Sequence, residues 1–258
     1  VSNEDRDSTE TIIATLQSPK MTQVITGSLP SHVPLQKFMA AAISAFRTTD
    51  PRVFQDCDKQ SIYNAVARAA RAGLLVDGRH GALVPFRSRG AGKRCQFLIM
   101  PQGIIDSFAR VRITCYAASV YDSDKVRIWD DEQGQHVVHD FDPFKDRGTR
   151  IGAFAAARSA DGRTWVEAMG MADIERVKKV SKQRDDRGNL YGPWVEWEER
   201  MEQKSCLHRL AKRVPSVDVA EDEEFQEDTA IRVLEPVDRQ KALEKLLSPS
   251  ESSGGVSS

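Results

Sequence analysis

Apolar positions recur with a helical period at both ends of the chain and with a strand period in its middle. Ser18-Pro19 reads as an N-cap followed by proline at the first helical position, opening a short helix to about Thr26. Gly27-Ser28-Leu29-Pro30 breaks it. A second helix, Leu35 to Arg47, puts Phe38, Ala42 and Phe46 on one face. Asp50-Pro51 is a turn, and Asp58 caps a third helix, Gln60 to Ala72, with Ile62, Ala65, Val66 and Ala69 inward and Gly73 after its end.

The period then changes. Gly81–Arg87 and Arg94–Met100 alternate or run apolar around Ser-Arg-Gly-Ala-Gly-Lys, which predicts a β-hairpin. Pro101 opens a helix to about Val111. Strands are predicted at Ile113–Tyr121, Lys125–Trp129, His136–Asp140, Thr149–Arg158 and Thr164–Met169, with Asp161-Gly162 turning the last two into a hairpin. Ala172–Val180 is a helix and Asp185–Gly192 a polar loop. The stretch from Trp194 to Val214 contains no Gly or Pro, follows Pro193 and stops at Pro215, so it predicts one long helix. Helices, then an antiparallel sheet, then helices give an α+β fold.

On that last helix Leu207, Leu210 and Val214 share a face, which predicts burial. Lys204, His208 and Lys212 share another face, with Arg209 beside them and Trp197 and Met201 earlier. Aligned cations beside an indole suit a phosphate rail with a stacking plate, and equally a solvated helix face.

Charge sharpens this picture. The chain of 258 residues has a formal net charge of −1, but residues 1–15 carry −3 and residues 216–258 carry −7, which leaves +9 on residues 16–215. A basic body with acidic ends suits a protein that holds a polyanion. Residues 1–15 predict a disordered acidic arm with a nascent helix over Glu10–Leu16, and 216–258 an acidic linker, a short helix at Ala242–Leu247 and a flexible end. The body divides into a helical part, 16–72, whose Ala- and Phe-rich helices suit subunit packing, and a part with the sheet and groove helices, 73–215. No run is apolar and long enough for a membrane helix, and Cys57, Cys95, Cys115 and Cys206 are scattered. A cytoplasmic setting is expected, with no cofactor and no metal.

Three constellations invite catalytic readings. Arg89-Gly90-Ala91-Gly92-Lys93 lacks the first glycine of a phosphate loop, where Arg87 stands, and the Ser or Thr after its lysine, where Arg94 stands. A hairpin turn fits better, and it would touch phosphate by charge alone. His136 and His139, with Asp140 and Asp142, have metal-ligand spacing, but on a strand i and i+3 point to opposite faces. Asp122, Asp124, Asp130 and Asp131 bracket hairpin turns, where aspartate is favoured, although a nuclease would use such a cluster.

In order along the chain stand Ala72-Gly73-Leu74-Leu75-x-Asp77-Gly78, Val84-Pro85-Phe86-Arg87, Cys95-Gln96-Phe97, Gln102-Gly103-Ile104-Ile105-Asp106, Gly152-Ala153-Phe154-Ala155, Trp194, and Lys204-Ser205-Cys206-Leu207-His208-Arg209-Leu210. This series, over about Leu16 to Pro215, resembles the RecT/Redβ family of phage single-strand annealing proteins. The chain departs from that pattern at Pro101-Gln102-Gly103, where the family commonly has Tyr-Lys-Gly, and at His208-Arg209, where paired basic residues are frequent. The resemblance implies a non-catalytic protein that forms rings or helical filaments on single-stranded DNA and pairs it with a complementary strand without ATP. It also implies a twisted antiparallel sheet with a helix lining a narrow basic groove, and an exonuclease or single-strand-binding protein as partner of the acidic tail. The expected DNA contacts are Arg87, Lys93, Arg94, Gln96 and Gln102 on the first hairpin and the helix start after it. Lys178, Lys179, Lys182 and Arg184 come before the long helix, and Trp194, Lys204, His208, Arg209 and Lys212 on it. Two rival readings are a metal-dependent DNA-end nuclease using the Asp-rich turns, and a DNA-associated scaffold that recruits a partner through its tail.

Overall fold

The computed structural model describes residues 3–88, 92–181, 187–190, 193–215 and 217. The N-terminal helices are α1 (Asn3–Leu16), α2 (Pro19–Ser28), α3 (Leu35–Thr48) and α4 (Lys59–Ala72), with a short 3₁₀ turn at Pro51–Val53. Ser18 accepts from the Met21 amide at the start of α2, and Asp58 accepts from the Gln60 and Ser61 amides at the start of α4. Gly73 closes α4 at φ +62, a left-handed conformation in which glycine is the residue at ease.

The expected disordered arm is corrected: α1 is helical from Asn3. Its acidic start conceals the apolar set Ile12, Ile13 and Leu16, all buried in the main core. The Ala- and Phe-rich face of α3 is turned inward, beside the inward face expected on α4. Phe38, Ala42, Phe46, Ile62, Ala65 and Val66 are spent inside the chain's own core, because neighbouring helices and the first hairpin cover them.

Strands β1 (Gly81–Ser88) and β2 (Gly92–Ile99) form a separate antiparallel hairpin, with Arg87 opposite Lys93 and Pro85 opposite Cys95. Helix α5 (Pro101–Arg110) leads into a five-stranded sheet of β3 (Ile113–Tyr121), β4 (Lys125–Asp131), β5 (Gly134–Asp140), β6 (Arg150–Ser159) and β7 (Thr164–Gly170). The spatial order is β3-β6-β7-β5-β4, and every pairing is antiparallel except the contact of β5 with β7, which is parallel at Gly134 and Thr164. Gly134 has φ +122, and a Cβ there would stand 2.3 Å from the Thr164 carbonyl oxygen, so the two strands meet only because that side chain is missing.

Parity along β6 divides the sheet into two faces. Ala153, Ala155 and Ala157 face the main core, while Phe154 and Ala156 pack with Val120 and Val166 and with Val126, Ile128 and Val137 of the β4–β5 hairpin. The alanine stripe lets a helix approach closely. That helix is α8 (Glu198–Arg213), which lies across β3, β6 and β7 and also meets α5. Helix α6 (Met171–Val180) follows β7 and adds Ile174 and Val177 to the same core. The expected single helix from Trp194 is broken: α7 (Pro193–Glu196) ends at Trp197, whose φ of −137° and ψ of 41° are not helical. The break lets Trp194 turn inward while Trp197 stays outside.

Candidate nucleic-acid interface

Helix α8 is a polar helix in an apolar position. Leu207, Leu210 and Val214 are buried, as their spacing predicts. The face carrying Lys204 and His208 is buried too: the two are only 3% and 1% exposed. The expected surface rail is therefore corrected at these two positions. Their helix is covered by the sheet and by α5, so more than the leucine face is taken out of water. Trp194, at 3%, is likewise a core residue, and the exposed indole is Trp197, at 64%.

The buried charges are held in networks. Glu202 has no exposure, and its Oε2 lies 2.8 Å from Arg150 Nε on β6. Arg150 also binds Glu198, which binds Lys178, whose ammonium reaches Glu175 at 2.7 Å. This chain of charges ties α6 and α8 to β6. Burial pushes the Glu202 carboxyl up to about 7; Arg150 pulls against that, and Glu198 adds to it. A second network centres on Glu167 of β7. Arg213 donates to it at 2.9 Å and to the Val166 carbonyl at 2.6 Å, and Arg209 Nε lies 3.9 Å away. Arg209 thus stands beside an orienting carboxylate. Glu167 was readable in the sequence: it shares parity with Trp165 and Met169, so it had to face the helix, where Arg209 and Arg213 are one turn apart.

A third network lies at the other side of the sheet. Arg147 Nε donates to Asp124 Oδ1 at 2.9 Å, His139 Nε2 lies 2.8 Å from Oδ2, and the guanidinium sits over Tyr121 and Phe141. Burial would raise the Asp124 carboxyl, but the hydrogen bonds from Arg147 and His139 outweigh it and hold it at about 2. His136 instead bonds Asp131 at 2.7 Å and stacks on Trp129, on the opposite face of the hairpin. The two histidines therefore cannot share one metal ion. Asp122 and Asp124 flank one end of β4 and Asp130 and Asp131 the other, a separation of roughly 20 Å for seven residues. The four aspartates do not form one acidic centre, and this removes the geometric basis of the nuclease reading.

The remaining expected contacts are spread over several elements. Lys93 donates to the Arg52 and Gln55 carbonyls at 3.3 and 3.1 Å, so its ammonium caps the 3₁₀ turn. Gln102 donates to Asp106 at 2.8 Å, and Gln96 is partly buried. Arg94, Lys179 and Lys212 are exposed, while Lys178 is buried in its ion pairs. The Arg87 side chain, Lys182 and Arg184 lie outside the described residues.

The family model of the RecT family matches residues 36–235. The chain belongs to the RecT family. Protein RecT of Escherichia coli (strain K12) is 27% identical to it over 210 residues, covering 79% of this chain and 75% of that protein. RecT membership places the chain among recombination and annealing proteins. The match runs past Val217, the last described residue, into the acidic segment. No helix among the described residues is long and apolar enough to cross a membrane.

Proposed function

We propose that this chain binds single-stranded DNA, oligomerises on it as a ring or helical filament, and anneals the complementary strand without ATP, in recombination of the phage type. Membership of the RecT family carries the reading. The charge of +9 on residues 16–215 supports it, because a protein that leaves pairing edges free must hold its strand by the phosphates. Arg94 on β2 and Lys179 at the end of α6 are exposed and are the proposed contacts with the strand, together with the exposed Lys212 at the end of α8 once it leaves its present partner, and with Arg87, Lys182 and Arg184. Lys204 lends positive potential from below the surface, His208 packs beside it in the core, and Arg209 sets the helix through Glu167. Lys178 and Trp194 hold α6 and α7 in place, and Lys93, Gln96 and Gln102 shape the hairpin's base. Residues 216–258 recruit an exonuclease or a single-strand-binding protein.

The test is affinity for mixed-sequence single strands across a salt series, together with annealing of a labelled complementary strand. Log affinity should fall linearly with log salt, and Lys179→Ala with Lys212→Ala should lower the slope by about one unit each. A flat salt dependence, or annealing that requires ATP, would sink the proposal.

A further inference from the structure

The negative charge of the acidic tail is concentrated where the tail begins. Residues 218–228 carry seven acidic side chains and no basic one, with Phe225 among them, while residues 229–258 carry four of each sign. The segment leaves the core at a defined place. Val217, the residue before it, is buried in the main core. Helix α8 leads there. Glu198 and Glu202 at the head of the helix bind Arg150, the first residue of β6. Arg213 at its foot donates to the Val166 carbonyl, opposite Ala156 near the other end of that strand. The chain therefore quits α8 at the end of the sheet where β6 stops and β3 starts.

That end of the molecule is basic. Arg110, Val111 and Arg112 lead into β3, all exposed, and Arg158 is exposed on β6 opposite Thr114. Arg110 donates to the Ala72 and Gly73 carbonyls at 3.0 and 2.8 Å, which brings the exposed Arg71 of α4 beside them. Helix α5, which ends at Arg110, packs on α8. Among the described residues no ion pair engages Arg71, Arg110, Arg112 or Arg158. The nearby acids are taken up by others. Asp106 accepts from Gln102 at 2.8 Å and lies 3.1 Å from His80. Asp161 is engaged by Ser159 and Arg163, and Asp131, on the turn beyond β7, by His136. Glu132 is exposed on that turn, two strands away from Arg158 across β7.

We propose that residues 218–228 dock back on this corner of their own chain, the acidic side chains on Arg110, Arg112 and Arg158 and Phe225 against Val111. The contact goes beyond the proposed function and needs no DNA. Charge matches across it, acids without a cation on one side and arginines without a described acid on the other. Reach is sufficient: these residues span up to roughly 36 Å when extended, longer than the ten-residue strand β6. A tether this short gives an effective concentration on the order of millimolar, so contacts that are weak between separate molecules close within one. Exposed ion pairs are individually weak and screened by salt. The contact is therefore a clasp that salt or a competing polyanion opens, and while closed it covers the basic corner and holds the start of the tail against the body.

Chymotrypsin reads the clasp on the full chain, because Phe225 lies inside the segment. The rate of cutting after Phe225 is followed by mass spectrometry at low salt, relative to each chain's own rate at 1 M salt. One variant carries Arg112→Asn and Arg158→Gln; asparagine suits position 112, where φ is +58. The other carries Glu221→Gln, Glu223→Gln and Glu224→Gln and leaves the core untouched. Thermal melting checks the first, and Arg158→Gln alone replaces it if it melts early. The parent should be cut about tenfold more slowly at low salt than at 1 M. Each variant should lose that protection, and the two combined should lose no more than either alone, because they break one contact. Equal cutting of parent and corner variant, or additive effects in the combination, overturns the proposal. Protection that grows with protein concentration would assign the segment to a second copy. Unchanged cutting with weakened binding of a mixed-sequence oligonucleotide would assign the corner to nucleic acid. Either result also overturns the clasp, and neither touches the functional reading, which its own salt series tests.

Discussion

Glu202 is the residue on which burial and charge conflict most directly. Its carboxyl titrates near 7 in the fold and near 4.5 when free, because burial disfavours its charged form more than Arg150 favours it. Between those values the folded chain holds a proton that the unfolded chain has lost. The native state then binds more protons, so stability is highest below the unfolded value and falls as pH rises through the folded one. The full penalty, on the order of 3 kcal/mol, applies above neutrality. Glu202→Gln should therefore raise the melting temperature above pH 7 and change it little near pH 4.5, and equal melting of the two proteins at all pH values would refute the assignment. Lys204 poses the related question for a cation. A phosphate contact on an open surface could be truncated without loss of stability, but Lys204 is buried. Lys204→Ala should lower stability by about 1–3 kcal/mol, visible as a drop in melting temperature, before any effect on salt-dependent affinity is interpreted. Unchanged melting with weakened, less salt-sensitive binding would return Lys204 to the strand's path.

At the scale of elements, α6, α8 and β6 are joined by charge rather than by apolar packing alone. Arg150 sits between Glu198 and Glu202, and Lys178 between Glu175 and Glu198. Arg150→Met leaves two carboxylates facing each other and should cost roughly 3–5 kcal/mol. The loss should be clearly smaller in a Glu202→Gln background, because one stranded charge is gone. Equal losses in both backgrounds, read from denaturant midpoints, would show that the two side chains do not couple. The sequence made the elements legible where local chemistry decides: the caps at Ser18, Asp58 and Gly73, the hairpins, and the Leu207–Leu210–Val214 face all stand where spacing puts them. It was silent where tertiary packing decides. The face of Lys204, His208 and Lys212 on α8 looks wet until the sheet and α5 cover its first two members. The break at Trp197 has no Gly or Pro to announce it, and it exchanges the roles of two tryptophans three residues apart. The parallel contact of β5 with β7 hangs on the one position, Gly134, that reads locally as a turn residue.

At the scale of the whole molecule, the acidic ends decide how the body meets a polyanion. The full chain carries −1, and removing residues 216–258, which carry −7, leaves +6 on residues 1–215. On the proposed function, a tail of that sign would compete with DNA for the cations of the body. Its cost to affinity is electrostatic, so it fades as the Debye length shrinks from about 10 Å at 0.1 M salt to about 3 Å at 1 M. Deleting 216–258 should therefore raise affinity for single strands at low salt, change it little at high salt, and leave annealing of naked strands intact. The described core reaches Pro215 and Val217, and Val217 packs into it, so the deletion is best compared with one that begins at residue 218. If the tail recruits a partner as proposed, the same deletion should abolish recombination in the cell. The measurement is a pair of assays on one protein: fluorescence anisotropy with a mixed-sequence oligonucleotide over a salt series, and recombination frequency in the host. Loss of affinity at low salt would show that the tail helps hold the strand, and unimpaired recombination would remove its partner.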